Sequence, residues 1–122
     1  MNIAIIGGRD FNNYNLLKES IFNEINLNEI SLIVSGGAKG ADSLGERLGE
    51  EFGISTLVFK PDWSKHGRGA GFVRNKQIIE NSDIVFAFWD GKSKGTKHSI
   101  DISNSLNKKI FIIKYLKNCI QN

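Results

Sequence analysis

Five strand-like runs alternating with four helix-period stretches constrain this chain more than any other feature of its sequence. Residues 2–6 are mostly apolar and end in Gly7-Gly8, the pattern of a buried strand. Residues 13–25 follow with Leu17, Ile21 and Ile25 at helical spacing, and Asn12 or Asn13 stands where an N-cap belongs. Residues 31–34 read as the second strand, closed by Ser35-Gly36-Gly37. Residues 42–52 form a helix with Leu44, Leu48 and Phe52 in one stripe. Beside it Ala41, Gly45 and Gly49 make a small-residue stripe that lets the backbone approach a sheet or a neighbouring helix. Gly53 ends that helix, residues 54–59 are the third strand, and residues 60–71 read as a polar, glycine-containing loop. A helix over 72–81, a strand over 84–88, a helix over 96–106 and a strand over 110–113 complete the alternation. The stretch after Tyr115 has no clear pattern.

Such alternation calls for parallel strands joined by right-handed helical crossovers. The expected fold is therefore α/β: a Rossmann-like parallel five-stranded sheet with flanking helices and, by analogy with such sheets, the order 3-2-1-4-5. With 122 residues and Pro61 as its only proline, the chain is expected to be a single domain over 1–122 with one proper core. Hydrophobic residues at 40% and charged residues at 24% exclude wholesale disorder. No apolar run approaches the roughly 18 residues that span a bilayer, and no charged-then-apolar leader precedes the first strand, so no membrane partner is expected. The single cysteine, Cys119, excludes an internal disulfide framework and a multi-cysteine metal site; it reads as an inert thiol and fits a cytoplasmic setting. A net charge of +3 neither demands a nucleic-acid partner nor repels one.

In open α/β sheets ligands bind beyond the carboxyl ends of the strands, where the strand order reverses. The expected order puts that reversal between strands one and four, with strand two adjacent. Three glycine-containing turns occupy those ends: Gly7-Gly8-Arg9-Asp10, then Ser35-Gly36-Gly37-Ala38-Lys39-Gly40 leading to Asp42, then Trp89-Asp90-Gly91-Lys92-Ser93-Lys94-Gly95-Thr96. A glycine-rich turn feeding a helix presents backbone N–H groups at the positive end of the helix dipole, where phosphate or carboxylate binds. Gly36 and Gly37 permit close backbone approach and Lys39 adds a charge; the bland alternative is three tight turns without a ligand. Trp89 is either a base-stacking platform or a lid on the core. The named nucleotide motifs fail. Gly91-Lys92-Ser93 has Phe86 where a Walker loop needs glycine, the first turn is not G-x-G-x-x-G, and Ser35 stands where a dinucleotide fold carries its acidic ribose ligand. No NAD, ATP or other cofactor is expected.

Residues 60–76 gather Lys60, Lys65, His66, Arg68, Arg74 and Lys76, interleaved with Trp63 and Phe72. Arginine suits bidentate phosphate recognition and an aromatic ring can stack on a base. The alternative is a solvated basic loop with Trp63 pinned to the body. Arg74-Asn75 opening a helix is more pointed, because both side chains would project toward the turn after strand four. His66 and His98 are too far apart for a local metal pair, and no metal site is expected. Asp10, Asp42 and Asp90 all belong to turns at one edge, and paired carboxylates can do acid–base or nucleophilic work on a glycosidic bond. Helix capping would equally explain Asp42, and an Asp-Gly turn would explain Asp90.

The ordered set Gly7-Gly8-Arg9-Asp10-Phe11, Ser35-Gly36-Gly37-Ala38-Lys39-Gly40-Ala41-Asp42, Pro61-Asp62-Trp63, Gly67, Ala70-Gly71, Arg74-Asn75 and Gly95-Thr96 resembles the SLOG superfamily, nearest its small stand-alone YspA-like members. The resemblance covers nearly the whole chain and implies a Rossmann-like domain that binds a nucleotide or a nucleotide-derived ligand, with self-association to a homo-oligomer plausible. LOG-type phosphoribohydrolases are more distantly similar: Arg74 and Gly95-Thr96 match their pattern, but Ser99 stands where their P-G-G-x-G-T-x-x-E motif ends in glutamate. The DNA-uptake protein DprA carries S-G-x-A-x-G-I-D, which residues 35–42 resemble, and it implies single-stranded DNA as another partner. The leading expectation is a sensor or sequestering module for a nucleotide-derived ligand. The alternatives are an N-glycosidase drawing on Asp10, Asp42 or Asp90 as catalytic residues, and a single-stranded DNA binder.

Overall fold

The computed structural model describes residues 1–116; Cys119 lies outside the described residues. Strands β1 (Asn2–Gly7), β2 (Leu32–Ser35), β3 (Ser55–Val58), β4 (Ile84–Trp89) and β5 (Lys109–Lys114) form one parallel sheet, as the alternation predicts, in the order β3-β2-β1-β4-β5 expected by analogy with Rossmann-like sheets. The order reverses between β1 and β4. Both of these strands are buried on both faces, which is why they read as unbroken apolar runs.

Alternate side chains of the central strands serve two cores. Ile3, Ile5, Phe86 and Phe88 pack with Leu17 and Ile21 of α1 (Tyr14–Phe22) and Leu48 of α2 (Ala41–Phe52). Ala4, Ile6, Val85 and Ala87 pack with Ile78 and Ile79 of α4 (Ala70–Glu80) and Ile100 of α5 (Lys94–Ser105). The small-residue stripe of α2 faces the sheet. A Cβ at Gly45 would stand 3.0 Å from Ile5, and one at Gly49 2.7 Å from the Thr56 hydroxyl.

Three local differences from the sequence expectation have physical causes. α1 stops at Phe22 rather than residue 25, although Ile25 still reaches the core. The stretch 60–71 is not wholly loop: α3 (Trp63–His66) forms because the Asp62 carboxylate caps it, accepting from Lys65 N at 3.1 Å, and a 3-10 turn over Gly67–Gly69 follows. That turn leads straight into α4 at Ala70, so Arg74 sits in its second turn instead of opening it. Among the described residues no helix is long and apolar enough to cross a membrane.

Candidate functional site

The three glycine-containing turns meet at the carboxyl edge of the sheet and enclose a cavity of about 560 Å³ at the β1/β4 reversal. This lies within the usual few-hundred to thousand Å³ range of small-molecule sites. From the first turn come Gly7, Gly8, Arg9 and Asp10, and from the second come Ala38 and Asp42. The third turn and α5 supply Asp90, Lys92, Ser93, Gly95, Thr96 and Ser99; α4 supplies Arg74, Asn75 and Ile78.

The first two turns are wired together by backbone. Gly8 N donates to the Phe88 carbonyl at 3.1 Å, and the Gly8 carbonyl accepts from Ala41 N at 3.2 Å, meeting one of the unpaired N–H groups at the start of α2. Gly40 makes this contact possible. Its φ is +78°, and a Cβ there would stand 2.6–2.7 Å from the Arg9 backbone. Tyr115 seals the first turn from outside: its hydroxyl donates to Asp10 Oδ1 at 2.6 Å and its ring lies 4.8 Å from that of Phe11. Burial and the Asp10 carboxylate hold the Tyr115 hydroxyl well above its ordinary pKa, so it stays a donor.

Arg74 reaches across the cavity wall to the second turn. Its Nη1 donates to the Gly36 carbonyl at 2.7 Å and its Nε to Asn75 Oδ1 at 3.0 Å. Asp42 approaches the same place, its Oδ2 accepting from Ala38 N at 3.2 Å. The missing side chain of Gly36 creates this junction, since a Cβ there would stand 2.6 Å from Arg74 Nη1 and 2.8 Å from Asp42 Oδ2. Burial pushes the Asp42 carboxyl up to about 6, against the opposing pull of the Ala38 N–H and the Arg74 guanidinium. Burial also lowers the Arg74 pKa from its ordinary value, with Asp42 opposing the shift. On the far wall Asp90 Oδ1 accepts from Lys92 N at 2.8 Å and Ser93 N at 2.7 Å, which shapes the turn entering α5.

The structure brings Asp10, Asp42 and Asp90 into the wall of one cavity, and they differ in environment. Asp10 is engaged by Tyr115 and Asp90 by its own turn, while Asp42 is the buried one. Asp42 does not cap α2, whose N-cap is Gly40; it serves the preceding turn instead.

Seven of the candidate ligand-binding residues stand outside the lining. Ser35 is fully buried and structural, its Oγ donating to Glu46 Oε2 at 3.0 Å and accepting from Gly37 N at 3.2 Å. Gly36 acts through its carbonyl on Arg74, and Gly37 turns away toward Val58 and Lys60. Lys39 projects to solvent, and Gly91, with φ +87°, only shapes its turn. Trp63 is 60% exposed on α3, neither lining the cavity nor pinned to the body. Trp89 packs on the α4/α5-side core and donates Nε1–H to the Ser93 carbonyl at 3.1 Å, so its ring covers the core. Conversely, Ile6, Ile78, Lys92 and Ser99 line the cavity although the sequence does not mark them as ligand-binding residues. Apolar lining residues cannot be told from core by periodicity.

Residues 1–66 match the family described as YspA, cpYpsA-related SLOG. That segment holds the first two turns, whereas Arg74 and the third turn lie beyond it. The Gene 61 protein of Mycobacterium phage D29 is 30% identical over 103 residues, covering 79% of this chain and 82% of its own. A match over more than half of the chain, spanning the two turns that build one side of the cavity, identifies it: the chain belongs to the YspA, cpYpsA-related SLOG family, which suggests a role in binding or processing a nucleotide-related ligand.

Proposed function

We propose that the cavity binds a nucleotide or nucleotide-derived small molecule and holds it without cleaving it, as a sensor or sequestering module does. The observation that carries this reading is the Arg74 guanidinium, fixed by the Gly36 carbonyl and Asn75 in a cavity wall. A phosphate placed there meets a cation already immobilised, with Gly95 and Thr96 of the first turn of α5 in the same cavity. Arg9 and Lys92 also line the cavity, where they offset the charge of Asp10 and Asp90, which are already engaged by Tyr115 and by the third turn's own backbone. Arg74→Ala is expected to weaken a nucleoside monophosphate roughly ten- to a hundredfold while leaving the matching nucleoside nearly unchanged. Equal weakening of both in a calorimetric titration would assign Arg74 to the fold instead. Mass spectrometry of small molecules released by denaturing the purified protein identifies the ligand directly.

The raised Asp42 carboxyl supports a second reading, N-glycosidic cleavage. Against it stands Ser99, 4% exposed and lining the cavity, where the phosphoribohydrolase motif carries glutamate. Cleavage builds positive charge on the ribose, and a hydroxyl cannot stabilise that charge as a carboxylate does. Chromatography of a nucleoside monophosphate panel is expected to show no base release by the wild type. Ser99→Glu is expected to introduce it, the rest of the cavity being already shaped for the ligand. Wild-type base release that disappears in Asp42→Asn would overturn the binding reading.

A further inference from the structure

Phe72 is a large apolar side chain left 56% exposed on α4, whose buried positions are Ala70, Ile78 and Ile79. Asn75 is the i+3 neighbour of Phe72 on one side and the i−3 neighbour of Ile78 on the other, so it stands between them on the helix surface. Ile78 is buried at the base of the cavity and Asn75 forms its wall. Phe72 lies three residues outward from Asn75, or about 4.5 Å along the axis. There the ring meets His98 of α5 edge-on, with centroids 4.3 Å apart and planes at 60°. His98 lies one turn beyond Gly95, another cavity residue, and a Cβ at Gly95 would meet nothing within 4 Å. The aromatic pair thus stands just outside the lining, one i, i+3 step from the lining residues Asn75 and Gly95, with Phe72 exposed to solvent.

The aromatic pair is also tied to the cationic wall. Asn75 Nδ2 lies 3.4 Å from His98 Nδ1, and Asn75 Oδ1 accepts from Arg74 Nε. One amide therefore sets the positions of both the ring and the guanidinium. We infer that Phe72, braced by His98, is the stacking platform for a nucleobase whose attached phosphate is held by Arg74. This rests on the nucleotide-binding reading of the cavity and makes a base, beyond a sugar phosphate, part of what is recognised. Phe72 and Arg74 leave α4 on opposite sides of Asn75, which lines the cavity between them, so a flat heteroaromatic ring on one flank and its phosphate on the other would be joined by a sugar across Asn75. Trp63 is similarly exposed, but it lies on α3, which supplies no residue to the cavity lining.

The test titrates AMP, GMP, CMP, UMP and ribose 5-phosphate into the wild type, Phe72→Ala, Phe72→Trp and Arg74→Ala. The wild type is expected to bind at least one of the four nucleotides about tenfold or more tighter than ribose 5-phosphate. Phe72→Ala should bring that nucleotide down to the ribose 5-phosphate level and leave ribose 5-phosphate itself unchanged. Phe72→Trp should keep the preference, and Arg74→Ala should weaken both ligands. Equal affinity of the wild type for nucleotides and ribose 5-phosphate would overturn the base platform, as would equal loss of both in Phe72→Ala; the phosphate site would still stand on the Arg74 result. A thymidine oligonucleotide that loses affinity in Phe72→Ala while the mononucleotides do not would reassign the ring to single-stranded DNA. Failure of the wild type to bind any of the five probes would overturn the cavity reading and this inference together.

Discussion

Gly40→Ala is expected to destabilise the protein by about 3–5 kcal/mol, read as a fall of more than about 1 M in the urea midpoint with the slope unchanged. Two effects combine. The φ of +78° is strained for any residue with a Cβ, which costs about 1–3 kcal/mol. The added methyl group also meets backbone, the Gly8 carbonyl and the Cα and carbonyl carbon of Arg9, so no side-chain rotation relieves it. The first turn must then shift away from α2, at a further cost of about 1–3 kcal/mol typical of overpacking. Gly53→Ala provides the control: its φ is +69°, yet nothing lies within 4 Å of the added Cβ. Backbone strain alone should cost that variant about 1–2 kcal/mol. If the two variants lose the same stability, the close approach of the turns contributes nothing. Surviving Gly40→Ala protein should also bind ligand poorly, because the shifted turn carries Arg9 and Asp10.

Asp42→Asn is expected to stabilise the protein by about 1–2 kcal/mol at pH 7.5 and to flatten the pH dependence of its stability between about pH 4 and 6. The folded-state pKa of about 6 lies above the ordinary 3.8. Between those values the native protein keeps a proton that the unfolded chain has released, so stability falls as pH rises and the loss is complete above pH 6. The shift corresponds to about 3 kcal/mol. Asparagine removes the buried charge but also its attraction to the Arg74 guanidinium, which returns part of the gain. Urea midpoints of both proteins from pH 4 to 7.5 measure the difference. A wild type that gains stability relative to Asp42→Asn as the pH rises through that window would show that the Arg74 attraction outweighs burial. A carboxyl kept in a cavity wall at a cost to the fold is a mark of a binding or reacting site.

The sheet was legible because its central strands are buried on both faces, leaving unbroken runs such as Ile84-Val85-Phe86-Ala87-Phe88. The turns were legible because glycine is required where backbone meets backbone, as at Gly40. What the turn residues do was harder to read. Ser35 and Gly36 belong to the same glycine-rich string as Ala38, yet the former pair builds the support of the site and the latter lines it. Which residues of a turn face inward depends on its dihedrals, which spacing does not encode. The sequence pattern starts α4 two residues late because Gly69-Ala70-Gly71 looks like loop, while the 3-10 turn before it runs directly into the helix. Tyr115 gave no signal at all, since its partner lies 105 residues away.

That distant pairing bears on when the pocket comes into being during synthesis. The first turn is made early, on a strand whose neighbour β4 has not yet been translated. Its carboxylate, Asp10, meets its hydroxyl partner only after β5 has been added at the edge of the sheet. A nascent chain emerging in order therefore presents two turns without a third wall, and contacts of long sequence separation form late. The cavity with all three of its walls thus exists only after the third turn and α5 have been translated.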